Sequence, residues 1–580
     1  MRRPVIPPVF FAMTLTAVAG LLLVLQLAVP SPAPARAAGA GTAAGAGAVA
    51  VTRAVHPAAA VTPVISCARL RLMDFTRIAG APTEITSAAP ATINGASYCE
   101  VKGEQPPQLQ FDLRLPVSTW TGRYVQEGCG GYCGAVSPGA PAVSAGCPQV
   151  TGNELALATD NEGHVGANGF DALWAADDPA MRISYAYTSE HDLALAAKAI
   201  IAAYYGRGPS YSYFDGCSDG GREALVEAER YPRDFNGILA GAPEIYATEL
   251  NGEVQAWNIL TNMDAAGHEI LTAEKLPALH AAVDKACAGP QGYVVDPRAC
   301  DFNPASIQCP PGQDSNSCLT PAQVGVVTRL YQGPRDPQGQ SLYPGGEPYG
   351  SELAWAGWLI DPAADTAWPA DTIDYGAAIG MLKYIAFAKN PPASFTLTQW
   401  KFTLGDYRRL TALNGLNDAT DPNLSAFERA GGKIIIWQGW ADSAINPFGT
   451  VAYYSAVVQH AGGYAAAQRF SRLYMIPAGY HCLGGGDPQV TGDLLTPLIN
   501  WTEHGTAPGA QTFPLVKPTA TLKSITVSPL NPGQPPAGGG NGLNSSYPWV
   551  GKFLNGNELW CTVDGMFVAC RAARPRGAAA

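Results

Sequence analysis

The chain has 580 residues, 47% of them hydrophobic and 14% charged, enough to bury a sizeable core and to form several domains. Its formal net charge of -11 and its lack of any Lys/Arg-rich run or RNA-binding signature leave no basic face for phosphate, which argues against nucleic acid as a partner. At the start, Arg2 and Arg3 precede an apolar stretch from Val9 to Val29, and Ala35-Arg36-Ala37 offers a small-residue cleavage site. That order predicts a signal peptide over 1–37 and a secreted, extracellular product. An uncleaved anchor is the competing reading, weakened by Thr14, Thr16 and Gln26. No later segment is apolar for long enough to span a membrane, so none is expected after cleavage.

Residues 38–62 are almost all Ala, Gly, Val, Thr and Pro without a helical or strand period, and read as a flexible linker. From Cys67 to about Ala242, short apolar runs such as Leu109 to Leu115 alternate with helix-like segments such as Glu190 to Tyr205, where Leu193, Ala196, Ala197 and Ile200 share one face. Alternating strands and helices imply an α/β fold with a mainly parallel sheet. Between Pro243 and Trp400 the sequence becomes rich in Pro, Gly, Cys, Trp and Tyr, as an inserted domain would. Lys433 to Trp437 and Leu473 to Pro477 then read as buried strands around a helix from Val451 to His460. The expected architecture is an α/β core (63–245 and 406–510) split by a large inserted lid domain (246–405). A C-terminal extension (511–580) follows, with a Pro/Gly-rich stretch and a hairpin in which Cys561 and Cys570 would bond.

The strongest local signal is Gly216-Cys217-Ser218-Asp219-Gly220, a GxSxG pattern between a short aromatic strand, Tyr211 to Phe214, and a helix from Gly221 to Tyr231. A serine hydroxyl needs a base within reach and a third group to fix the imidazole's tautomer. In α/β hydrolases the chain order is Ser, acid, His, so His56, His164 and His191 come too early. His481 follows the Leu473 to Pro477 strand in a Gly-containing turn, whereas His268 and His280 lie in the insertion, His460 in a helix and His504 in a polar segment. Asp442 follows the Lys433 to Trp437 strand at its carboxyl end, where open α/β sheets place their sites. Ser218, Asp442 and His481 are therefore the candidate nucleophile, acid and base. If Ser218 and His481 meet, so can their neighbours Cys217 and Cys482, and a bond between them would staple the serine turn to the histidine loop. Two buried free thiols are the alternative.

At these residues the chain resembles the tannase and feruloyl esterase family, secreted esterases marked by a CS, D, HC triad with a bridged Cys pair. The likeness runs from Cys67 through Trp120-Thr121-Gly122-Arg123, Gly128 to Gly134 and the Tyr213 to Arg222 turn, and resumes at Gly350-Ser351-Glu352, Asp442 and Tyr480 to Gly486. The resemblance implies a carboxylic ester hydrolase with a large lid, acting on esters of gallic, ferulic and related aromatic acids, and the family includes hydrolases of a terephthalate monoester. The substrate would be a small or polymer-linked aromatic ester. A catalytically silent binding protein and a serine peptidase are the rival readings.

The oxyanion of such a reaction needs backbone N–H donors. Asp219 supplies one, and the Gly128-Cys129-Gly130-Gly131 cluster offers a second, Gly130 with Cys129 as rival. Common family members carry Thr where this chain has Asp219. In the insertion, Trp355, Trp358 and Trp368 with Tyr343, Tyr349, Tyr375 and Tyr384 are candidates for stacking on an aromatic acyl group. Thirteen cysteines in an exported chain point to disulfides rather than zinc, for which only Cys129 and Cys133 are closely spaced. Expected bridges join Cys67 with Cys99, Cys287 with Cys300, and Cys309 with Cys318. Cys129, Cys133 and Cys147 would supply one pair and one free thiol, and spacing does not prove connectivity. Many family members hold calcium in a lid loop with a CDxxDGVxDG pattern and a DPRxC ending. Here only Asp296-Pro297-Arg298-Ala299-Cys300 remains, and no Asp lies between Cys287 and Asp296. That loop is too neutral for a hard cation. No metal or cofactor is expected, and the oligomeric state is left open.

Overall fold

The computed structural model describes residues 59–139, 143–363 and 368–533, and the backbone of 551–554, 559–564 and 567–572. The signal-peptide reading and all but the last few linker residues lie outside these. From Val61 the chain is already tied to the fold, because Val61 N–H donates to Trp120 O and Val64 N–H to Tyr204 O.

The strands are β1 (Glu84–Ile93), β2 (Ala96–Gln105), β3 (Leu109–Pro116), β4 (Arg123–Glu127), β5 (Leu155–Asp160), β6 (Tyr211–Cys217), β7 (Gly237–Gly241), β8 (Lys433–Gly439) and β9 (Ser471–Ile476). They form one sheet in the order β1-β2-β3-β5-β4-β6-β7-β8-β9. β1, β2, β3 and β5 pair antiparallel, and from β5 onward every pairing is parallel. In β4, β7 and β9 every residue is buried, as strands covered on both faces must be.

Side chains alternate between those faces. Tyr124, Phe214, Ile238 and Ile434 pack on one side with α1 (Ser189–Tyr205), α2 (Asp219–Arg230) and α3 (Pro447–His460). Val125, Tyr213, Leu239 and Ile435 pack on the other with α4 (Leu495–His504). Helix α3 begins at Pro447, earlier than the predicted Val451, because Asn446 caps it by accepting from Phe448 N–H at 2.9 Å, with Pro at the first helical position.

Between β7 and β8 the chain makes one excursion, 242–432, that contributes no strand to the sheet among the described residues. Its longest helices are Leu276–Cys287 and Pro321–Gln332. The excursion therefore includes 406–432, which the sequence reading assigned to the core. After α4, Gln511–Pro514 and Ser524–Val527 form a hairpin, and Leu530 N–H donates to Leu473 O beside β9. Further on, Leu559–Asp564 and Phe567–Ala572 pair antiparallel with Cys561 opposite Cys570; those side chains are outside the described residues. Among the described residues no helix is long and apolar enough to cross a membrane.

Candidate active site

Strand β6 delivers the chain to Ser218, whose backbone turns to φ 70° and ψ -124° before α2 begins at Asp219. A non-glycine residue held at such a φ is strained by about 1–3 kcal/mol and persists only where its surroundings over-determine it. Here Ser218 N–H donates to Gly241 O at 3.0 Å, and Ser218 O accepts from Gly221 and Arg222 N–H at 3.0 and 3.2 Å. The flanking glycines are needed for space: a Cβ on Gly216 would collide with the Gly220 carbonyl, and one on Gly220 with the Cys129 carbonyl. Gly220 N–H donates to Cys129 O at 2.7 Å, which ties the serine turn to the glycine cluster after β4.

Asp442 sits just past β8 and is completely buried. Its Oδ1 accepts from Ala444 N–H at 3.0 Å and Ile445 N–H at 2.9 Å; its Oδ2 meets His481 Nδ1 at 3.0 Å and Gln438 Nε2 at 3.4 Å. His481 lies in the turn after β9, with Nε2 at 3.6 Å from Cys482 Sγ. The next residue, Cys482, has φ 50° and is bonded to Cys217, which immediately precedes Ser218. Ser218, His481, Cys217 and Cys482 line a single cavity of about 680 Å³. Such an imidazole, with Nδ1 engaged by a buried carboxylate, has Nε2 available for proton transfer.

The two candidates for the second N–H donor differ in the structure. Cys129 N–H donates to Glu223 Oε2 at 3.2 Å, while Gly130 N–H has no acceptor among the described residues and its Cα faces open space. Asp219, whose N–H stands at the first helical position without an intrahelical acceptor, turns its side chain away from the cavity. Its carboxylate is fully buried and accepts from Arg222 Nε at 2.5 Å. The same guanidinium binds Glu162, donates to Ala186 O and Tyr185 O, and lies over the Tyr185 ring. The departure at Asp219 thus feeds a buried ion pair rather than the cavity.

The aromatic residues of the insertion are placed differently from the stacking expectation. Trp358 alone of those named lines the cavity, with its ring edge-on to His481 at 5.3 Å between centroids. Tyr343, Tyr349 and Trp355 are buried in the main core, and Trp368, Tyr375 and Tyr384 pack on a second cluster around Met381 and Trp400. A long excursion without strands must fill its own interior, and large rings fill it best. The other rings on the cavity wall, Tyr132 and Phe170, come from the loops after β4 and β5. Sequence reasoning also passed over Gln438, Glu127, Asp215 and Glu244; a carboxylate inside a strand buried on both faces, as at Asp215, was the available signal.

Bridges join Cys67 with Cys99, Cys129 with Cys133, Cys217 with Cys482, Cys287 with Cys300, and Cys309 with Cys318; Cys147 is a buried free thiol. Among the described residues one group could gather around a metal, namely Cys129, Cys133, Glu162, Asp219 and Glu223. Its donors are already committed: the two sulfurs to each other, Asp219 and Glu162 to Arg222, and Glu223 to Cys129 N–H. In the Cys287 to Cys300 loop, both oxygens of Asp296 are held by Arg298, at 2.7 Å in the shortest contact.

A mainly parallel sheet that lifts a serine on a strained strand-to-helix turn, with a large excursion before the next strand, defines an α/β-hydrolase. Within that class the chain belongs to the tannase and feruloyl esterase family, whose profile, "Tannase and feruloyl esterase", matches residues 92–526. It is a carboxylic ester hydrolase of feruloyl esterase or tannase type. Among its relatives, a mono(2-hydroxyethyl) terephthalate hydrolase of Piscinibacter sakaiensis is 31% identical over 73% of this chain and 79% of its own length. A probable feruloyl esterase B-2 of Aspergillus flavus is 28% identical over 75% of this chain and 86% of its own length. The fold is shared with feruloyl esterase B of Aspergillus oryzae (TM-score 0.66, 20% identity, 81% of this chain and 98% of that one). It is shared as well with a tannin acyl hydrolase of Aspergillus niger (TM-score 0.63, 19% identity, 89% and 97%).

Proposed function

We propose that the protein is a secreted serine esterase that cleaves esters of aromatic acids through an acyl-enzyme on Ser218. Ser218 Oγ attacks the ester carbonyl while His481 takes its proton, and the tetrahedral oxyanion rests on the N–H groups of Gly130 and Asp219. His481 returns the proton to the leaving alcohol. Water, activated by the same imidazole, then releases the acid and frees Ser218. Asp442 keeps Nδ1 of His481 protonated and stabilises the imidazolium, and Gln438 holds Asp442.

The observation that carries this reading is the hydrogen-bonded Asp442–His481 pair opening with Ser218 onto one cavity walled by Trp358, Tyr132 and Phe170. An aromatic acyl group suits those rings. Export is supported by the amino-terminal signal pattern and by bridges that persist in oxidising compartments.

Ser218→Ala should lower kcat on methyl ferulate or methyl gallate by about 10⁴-fold or more while leaving the melting temperature in place. Undiminished turnover by that variant rejects the mechanism. In a panel with a terephthalate monoester and short alkyl nitrophenyl esters, turnover of the aliphatic esters alone would reject the aromatic specificity.

A further inference from the structure

The glycine cluster after β4 carries a bridge that the proposed mechanism does not use. Cys129 and Cys133 are bonded across Gly130, Gly131 and Tyr132, and all of these residues line the cavity that holds Ser218. The bridges among the described residues span sequence separations of 32, 4, 265, 13 and 9, and this one is the shortest. Loop-closure stabilisation grows with the length of chain enclosed, so a ring this small adds less to the stability of the fold than any of the others. Its use lies in the loop that it closes.

That loop is held at both ends and loose in the middle. At its start Cys129 O accepts from Gly220 N–H at 2.7 Å, and Cys129 N–H donates to Glu223 Oε2 at 3.2 Å. At its end Tyr132 N–H donates to Gly169 O at 2.6 Å, the Tyr132 hydroxyl donates to Ala377 O at 2.6 Å, and Gly134 N–H donates to Asn161 O at 3.2 Å. Between these anchors neither the Gly130 nor the Gly131 N–H has an acceptor among the described residues, and Gly130 is exposed. The backbone tie on this pair is the bond from Cys133 N–H to Gly130 O at 3.1 Å.

Consecutive glycines have the widest choice of backbone conformations, and the stretch enters the left-handed region at Gly131 (φ 68°), Cys133 (φ 53°) and Gly134 (φ 88°). For Cys133, which has a side chain, that region is disfavoured and must be imposed by its surroundings. The bridge imposes it. Its sulfurs rest on the start of α2, with Cys129 Sγ at 3.1 Å from Glu223 Oε1 and Cys133 Sγ at 3.6 Å from Asp219 Oδ2. On one side the bridge therefore encloses Gly130, and on the other it packs against Asp219, the residue that offers the second oxyanion donor.

Resting on the esterase reading above, we propose that the Cys129–Cys133 bridge is a positioning element, which fixes the Gly130 N–H relative to the Asp219 N–H so that both reach the oxyanion. An oxyanion hole works because its donors are aimed before charge develops, and a donor on a loose glycine pair would have to be ordered in every turnover. The cavity walls that receive substrate, Tyr132 among them, keep their own anchors when the bridge is open. Opening it weakens the transition state and leaves binding of the ester in place.

The test places Cys129→Ser and Cys133→Ser in one protein. The serine hydroxyls nearly fill the space of the sulfurs and can donate to Glu223 and Asp219, so the covalent link is what the change removes. Active serines are counted first with an aryl phosphonate. On methyl ferulate, kcat per counted serine should fall about tenfold to a hundredfold, less than the roughly 10²–10³-fold for losing a donor outright, with KM near the wild-type value. The phosphonate on Ser218 carries an oxygen where the oxyanion would lie, and its phosphorus NMR resonance should shift in the variant. A bridge that serves the fold alone would lower the melting temperature and the count of active serines, while kcat per serine and the phosphorus resonance stay at wild-type values; that result overturns the proposal. Should the serine pair not fold, Cys129→Ala with Cys133→Ala must show the same loss of kcat per serine, and failure of both pairs to fold assigns the bridge to stability and overturns the proposal as well. The Cys217–Cys482 bridge is intact in these variants, which separates the effect from loss of the staple. Wild-type protein that takes up no phosphonate at Ser218 would reject the esterase reading and this proposal with it, whereas unchanged kcat per serine rejects this proposal alone.

Discussion

Two buried acidic groupings flank Ser218, and they differ in one component. Behind the serine turn, Asp219 and Glu162 share the guanidinium of Arg222, which spends its remaining donors on Ala186 O and Tyr185 O. In the cavity, Glu127 and Asp215 lie in register on adjacent strands with no cation on the wall among the described residues. Both groupings are buried, so burial does not tell them apart. What separates them is satisfaction: the first is closed on itself and anchors the start of α2, whereas neither carboxylate oxygen of Asp215 in the second has a partner among the described residues.

The largest effect should come from making the first grouping resemble the second. Arg222→Met leaves Asp219 and Glu162 buried without a counter-charge, which should cost about 3–5 kcal/mol, read as a lower urea midpoint. Stability equal to wild type would mean the pair is not what holds the turn.

Next in size is the bridge that fixes both groupings around the serine. Cys217→Ser with Cys482→Ser opens a loop closed over a sequence separation of 265, and should cost about 2–5 kcal/mol. Mild reduction of the wild type should lower turnover before the near-UV circular dichroism changes, because Ser218 and His481 lose register first. Alkylation of both cysteines in fully active protein would show that the staple is dispensable.

The cavity grouping can be addressed through pH. Glu127 has a folded pKa of about 7 against an ordinary 4.5, so between those values the folded state holds a proton that the unfolded chain has released. Its contribution therefore favours folding below about pH 4.5 and is lost as pH rises toward 7, a penalty on the order of 3 kcal/mol when complete. Melting curves of wild type and Glu127→Gln should converge at low pH and diverge through that window, the variant becoming the more stable. Parallel curves would show that the raised pKa is not realised.

The smallest expected effect is none. Since Arg222 and Arg298 already occupy the carboxylates that a cation would need, chelation should leave melting temperature and turnover unchanged. A melting temperature that drops with chelator and recovers with added calcium would reveal a bound ion and erase the contrast drawn above.

Local chemistry made part of this molecule readable from the chain alone. The serine turn is written in glycines because neighbouring backbone comes too close for any Cβ, and the flanking strand and helix follow from period and composition. The order of Ser218, Asp442 and His481 after β6, β8 and β9, and the pairing of Cys217 with Cys482 that their meeting would permit, needed the assumption of a parallel sheet and of the Ser, acid, His order of α/β hydrolases. What the chain did not disclose depends on contacts between residues far apart in sequence. Whether Trp355 or Trp358 faces the cavity depends on how 242–432 folds back over the sheet. Whether Asp219 or Asp215 meets an arginine depends on which way each points from a turn or strand only a few residues long. A carboxylate carries the same charge in every environment in the sequence; only the packed structure decides whether a guanidinium, a backbone N–H or open cavity stands opposite it, and that decides whether it serves the fold or the site.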